Sequence, residues 1–168
     1  MKHTKSIYQI ILVSFVFLFT LSCSEPKKTI EEDNKSLIIH MIEEGINNHN
    51  LEVFDKLLSP DYIRHSQAMP PGMEKLTGIE TYKGFIKEHF KAFPDYSEEI
   101  IQIIAEGEKV FIITKGTATH TGPLGDIAPT NKEMTIMNYG LFKFKNDKIV
   151  EMWVSWDNMA LLRQLGLS

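Results

Sequence analysis

One cysteine, Cys23, in 168 residues excludes an intramolecular disulfide framework and a zinc site of the Cys-x-x-Cys type. Basic patches are missing as well. The 18 Lys and Arg are outnumbered by 22 Asp and Glu, giving a net charge of -4, and they form no cluster of the kind that neutralises nucleic-acid phosphates. There is no glycine-rich phosphate loop, no Gly-x-Ser-x-Gly elbow and no His-Glu-x-x-His helix, so the common phosphate, serine-hydrolase and zinc-hydrolase signatures are excluded. The six histidines show no ligand spacing, and the sequence points to no metal and no cofactor. With 43% apolar residues the chain is too hydrophobic to be disordered, and its length suits one folded domain.

The apolar residues are unevenly spread. Lys2 and Lys5 precede Ile7 to Leu21, a run interrupted only by Gln9, Ser14 and Thr20. A charged start followed by a short apolar run reads as a secretory signal, and the run falls short of the roughly 20 residues a membrane-spanning helix needs. It ends in Thr20-Leu21-Ser22-Cys23, which resembles the lipobox of bacterial lipoproteins. That resemblance implies lipidation of Cys23 and a place in the bacterial cell envelope, attached to a membrane after export. The other reading is cleavage near Ser22 with a free thiol. The expected organisation is therefore a signal peptide over 1–22, a lipidated cysteine and polar tether over 23–35, and one domain over 36–168.

Within the domain, Ile38, Met41, Ile42, Gly45 and Ile46 recur at helical spacing and predict a first helix. Leu51, Phe54, Leu57 and Leu58 predict a second, stopped by Ser59-Pro60. Thr77 and Glu80 read as a capping box for a third, whose apolar stripe runs from Ile79 to Phe93. The period then changes. Ile100 to Ala105, Val110 to His120, Glu133 to Lys145 and Ile149 to Trp156 are β-branched and aromatic, with turns at Glu106-Gly107-Glu108 and Asn146-Asp147. A short last helix follows Asp157, its cap. Helices first and successive strands afterwards mean an α+β domain with the helices on one face of the sheet.

Asp157-Asn158-Met159-Ala160-Leu161-Leu162-Arg163-Gln164-Leu165-Gly166, with Asp147 to Trp153 before it, resembles the C-terminal signature of the SnoaL-like polyketide cyclase (ester cyclase) family. Asp61-Tyr62-Ile63-Arg64-His65, Phe93-Pro94-Asp95, Gly116 to Gly122 and Pro129-Thr130 agree in order. The resemblance covers Ser36 to Gly166. It implies a nuclear-transport-factor-2-like cone: a curved antiparallel sheet with about three N-terminal helices and a short C-terminal one, enclosing a pocket. It also implies metal-free aldol ring closure of a polyketide ester by a carboxylate. The sequence departs from that pattern where the chemistry lies. Val154 stands where the family's acid/base aspartate belongs, Gly140 where a supporting histidine does, and Arg64 where an asparagine does; the polar amide survives as Asn138.

Strand alternation sorts the remaining candidates. If Asn138 faces the pocket, so do Ile136, Gly140 and Phe142, and on the next strand Val150, Met152, Val154 and Trp156, a predominantly apolar wall. Trp153 and Trp156 fall on opposite faces, and Tyr62 and Phe90 are further candidates for ligand contact. His120, His65 and Asp157 are the candidate catalytic groups. Each has a plainer reading, as a turn histidine, a loop histidine and a helix cap respectively. His89 reads as a boundary histidine, the methionines as core filling, and Met69-Pro70-Pro71-Gly72 as a connector or a cover for the pocket mouth. Two functions stay open. One is a membrane-anchored binder of a small, largely apolar molecule; the other is a metal-independent cyclase, isomerase or hydrolase of a small carbonyl compound using His or Asp. A homodimer through the open face of the sheet is expected.

Overall fold

The computed structural model describes residues 29–167; the expected signal peptide, Cys23 and the tether up to residue 28 lie outside the described residues. Helix α1 (Ile30–His40) begins where the Thr29 side chain accepts a hydrogen bond from the Glu32 amide, with Glu31, Glu32 and Asp33 at the positive end of the dipole. Residues 30–35, expected as tether, are thus helical. Asn34 donates to the Gly107 carbonyl at 3.3 Å and Glu31 accepts from the Gly107 amide at 3.2 Å, so their polar character serves the turn they pack on. The helix continues as a π-helical stretch (Met41–Asn47), whose wider turn brings Met41, Ile42, Gly45 and Ile46 all inward. Gly45 lets the Phe54 ring pack close, since a Cβ there would sit 3.0 Å from it.

Helix α2 (Glu52–Leu57) runs directly into β1 (Leu58–His65). Pro60, which has no amide to donate, falls where the β1 register shifts between Leu58 and Ile63. After β2 (Lys75–Thr77) comes α3 (Ile79–Ala92). The capping box expected at Thr77 does not form. Thr77 is used in the ladder opposite Ile63, and the chain enters the helix through Gly78 at φ 87° without a side-chain cap.

Strands β3 (Ser97–Glu106), β4 (Lys109–Thr119), β5 (Glu133–Lys145) and β6 (Lys148–Trp156) complete one sheet of order β2-β1-β6-β5-β4-β3, antiparallel except for β1 with β6. All three main helices cover one face. On that inner face the register stacks Val110, Phe142 and Met152 in one row, Ile112, Gly140 and Val154 in the next, and Thr114, Asn138 and Trp156 in a third. A bulge between Lys143 and Phe144 puts Ile149 opposite Phe144, so Ile149 and not Val150 carries the inner row at that end. Phe54, Leu58, Phe142 and Ile149 are at most 1% exposed, and each stabilises the fold by about 1.5–3 kcal/mol.

Helix α4 (Asn158–Leu165) starts at Asp157, whose carboxylate accepts from the Ala160 amide at 2.8 Å. It ends at Gly166, φ 73°, with the Leu167 amide donating to the Leu162 carbonyl, and Gln164 docks it on Thr135 of β5. No helix among the described residues is long and apolar enough to cross a membrane.

Candidate functional site

The inner face is more polar than strand alternation alone suggests. β3 starts three residues earlier than expected, at Ser97, and this extends its inward row back from Ile100 to Glu98. The Glu98 carboxylate is turned into the domain, where it accepts from the Tyr96 hydroxyl at 2.6 Å and from Thr114 Oγ1 at 2.7 Å. Asn138 Nδ2 reaches Tyr96 Oη at 3.1 Å and Glu98 Oε1 and Thr114 Oγ1 at 3.3 Å. Burial raises the Glu98 pKa above the usual carboxylate range, against the opposing pull of the Tyr96 and Thr114 hydrogen bonds. Burial also pushes up the Tyr96 hydroxyl. Gly116 leaves the room this network needs, since a Cβ there would stand 2.8 Å from Tyr96 Oη.

β1 and α3 supply the other polar groups. Arg64 is 4% exposed, with its guanidinium 4.7 Å from the Phe85 ring centre and 5.9 Å from that of Trp156. No carboxylate among the described residues pairs with it, and its Nη1 is buried without a hydrogen-bond partner. Trp156 Nε1 is likewise buried and unpartnered. An uncompensated buried charge costs on the order of several kcal/mol. His89 lies against Tyr96, ring centres 4.5 Å apart, and against Phe93 at 5.2 Å. Burial lowers its pKa to about 4, with Arg64 and His49 adding to the effect, so it is neutral at pH 7. Tyr62 and Tyr82 close the cluster. The Tyr62 hydroxyl is 3.1 Å from Met152 Sδ, and burial pushes the Tyr82 hydroxyl up to about 12.

The residues singled out from the sequence fall into three places. Asn138, Tyr62, Val154, Trp156 and Phe142 are on the inner face, Phe142 filling the space beneath Gly140. Phe90 is stacked on His49 at 3.9 Å. His120 is fully buried at the end of β4, its Nδ1 beside Thr130 Oγ1 at 3.1 Å and its ring 5.2 Å from Phe93; its Nε2 has no partner. Asp157 spends its carboxylate on the α4 cap. His65 and Trp153 are on the opposite, outer face, stacked on each other at 5.2 Å, with His65 Nε2 2.9 Å from Glu151 Oε1. The three catalytic candidates therefore do not meet. Cys23 lies outside the described residues.

An open hollow of about 560 Å³ also lies on the outer side, lined chiefly by His65, Lys75, Phe111, Tyr139, Leu141 and Trp153, and Val154 borders it as well. The loop after β1, expected as a possible cover for an inner pocket, borders this outer hollow through Ser66 and Gln67. No group of His, Cys, Asp and Glu among the described residues is arranged to hold a metal ion.

The profile of the SnoaL-like polyketide cyclase family matches residues 36–165. The chain belongs to that family. Among solved structures it resembles a candidate SnoaL-like polyketide cyclase from Jannaschia sp. CCS1, with a TM-score of 0.76, 18% identity, and coverage of 86% of this chain and 99% of the other. AclR, a candidate hydroxylase from Streptomyces galilaeus, gives 0.70 at 27% identity over 81% and 82% of the two chains. IdmH, a candidate polyketide cyclase from Streptomyces antibioticus, gives 0.68 at 25% identity over 79% and 97%. Comparison with curated proteins finds no match.

The α+β cone expected from the sequence is thus the fold observed. Against the SnoaL-like pattern, Val154 lies in the inner row beside Gly140, and neither can move a proton. The inner carboxylate in this chain comes from β3 instead. Glu98 falls outside the strand expected from the sequence because Ser97, Glu98 and Glu99 place three polar residues in a row before Ile100. Counting the alternation back from Ile100 through Glu98 to Tyr96 was the signal that could have found it.

Proposed function

We propose that this chain is a small-molecule-binding SnoaL-like domain, held at a bacterial membrane by lipid on Cys23, whose ligand sits on the inner face among Arg64, Trp156, Asn138 and Glu98. The observation that carries the reading is the pair of buried, unpartnered donors, Arg64 Nη1 and Trp156 Nε1. Buried donors are nearly always satisfied in a resting protein, and a ligand oxygen supplies what these two lack. Loss of the family's acid/base position to Val154 supports binding over ring closure. The outer face, with Ile101, Ile104, Tyr139 and Trp153 all at least 40% exposed, suits a homodimer contact.

A second reading keeps catalysis. The raised pKa of Glu98 and its place among Tyr96, Thr114 and Asn138 suit a proton-exchanging carboxyl, a role for which His120, His65 and Asp157 are less well placed. Mass spectrometry of the natively purified protein, together with turnover on a panel of keto esters, tests both readings. A retained small molecule and no turnover are expected; turnover abolished by Glu98→Gln establishes the second reading instead.

A further inference from the structure

We propose that the ligand of the inner face is a carboxylate, its two oxygens received by Arg64 Nη1 and Trp156 Nε1. This rests on the small-molecule reading above and names the chemistry of the ligand. Arg64 is a permanent cation enclosed by Phe85 and Trp156, with no carboxylate of the protein paired to it among the described residues. The titratable groups around it offer no compensating charge: His89 on α3 is neutral, and burial pushes the Tyr62 and Tyr82 hydroxyls up. Glu98 is occupied by Tyr96, Thr114 and Asn138.

The guanidinium is thus a buried charge that the protein's own described side chains leave uncompensated, which is the condition an incoming anion relieves. Two orphaned N–H groups match the two oxygens of a carboxylate better than the three of a phosphate. The rings of Phe85 and Trp156 flank the cation and fit an aromatic or unsaturated body attached to that carboxylate. A methyl ester offers no charge to Arg64.

Calorimetric titration of the purified protein at pH 7.5 with 2-naphthoate, methyl 2-naphthoate and inorganic phosphate tests the proposal. The carboxylate is expected to bind about 10- to 100-fold tighter than its ester, the span set by charge-assisted hydrogen bonds, and phosphate not to compete. Arg64→Met should erase that preference while leaving the ligand-free melting temperature equal or higher, because it removes an unpaired buried charge. Trp156→Phe should weaken the carboxylate several-fold and the ester little.

An ester that binds as tightly as the acid, or displacement by phosphate, overturns the carboxylate and leaves small-molecule binding standing. Failure of both naphthyl probes overturns the two together. Carboxylate affinity unchanged in Arg64→Met, or a ligand-free Arg64→Met that melts well below the wild type, assigns Arg64 to packing and also overturns the proposal. Should Arg64→Met not fold, an unchanged carboxylate affinity in Trp156→Phe does the same.

Discussion

Replacing His89 by phenylalanine should remove a large acid-dependent loss of stability between about pH 6.5 and 4. The ring is enclosed by Phe90, Phe93 and Tyr96, which a phenyl group can also face, so the substitution changes titration more than packing. In the folded state burial holds the imidazole pKa at about 4, against about 6.5 in the unfolded chain. Above pH 6.5 both states are neutral and His89 makes no pH-dependent contribution. As the pH falls, the unfolded chain takes up the proton first, so stability declines from about pH 6.5 and the full loss is reached below about pH 4. A shift of this size corresponds to about 3 kcal/mol, a large part of the 5–15 kcal/mol typical of a domain.

Glu98 works in the opposite direction. Its raised pKa means that falling pH relieves a cost, and that effect is common to both proteins. Urea unfolding at pH 7.5, 6, 5 and 4 should therefore show wild type and His89→Phe diverging by up to about 3 kcal/mol toward pH 4, with similar slopes in urea. Parallel decline of the two, within about 0.5 kcal/mol, would refute the claim that this imidazole is enclosed and neutral.

Gly122→Ala should be among the more damaging single changes. Its Cβ would stand 1.8 Å from the Lys91 carbonyl oxygen and break the hydrogen bonds that Thr121 and Gly122 donate to Ala92, at a cost of about 3 kcal/mol, read as a melting temperature lower by roughly 10 °C. At the other end of the chain, a clickable palmitate should label the wild type in cells and fail to label Cys23→Ser. Equal labelling would remove the lipid anchor from the account.

The architecture was legible because it rests on periodicity. The third helix from Ile79, the strands from Val110 and Glu133, and the cap at Asp157 follow from apolar spacing and turn chemistry, and Asn138 and Trp156 fall on one face as alternation requires. What failed was what depends on a register break or a tertiary contact. The bulge at Lys143/Phe144 exchanged Val150 for Ile149, and the ladder claimed Thr77 before it could cap α3. Residues 30–35 looked like a linker by composition and became helix because Gly107 gives Asn34 and Glu31 their partners.

The site was harder still. A polar residue on a strand shows its face only when the strand's start is known, and β3 begins before its first apolar residue. Arg64 stood out in the sequence as a departure at one position, but its missing partner is a fact of three dimensions. His65 and Trp153, each one residue beyond an inward-facing side chain, Arg64 on β1 and Met152 on β6, sit on the far side of the sheet because a side chain one step along a strand points the other way.

The central claim is that ligand recognition belongs to the inner face and not to the hollow outside. Amide and indole chemical shifts recorded while 2-naphthoate is titrated into the protein test it directly. The account predicts the largest changes at the Trp156 indole, Arg64, Asn138 and Tyr96; changes confined to Phe111, Tyr139, Leu141 and Trp153 would contradict it.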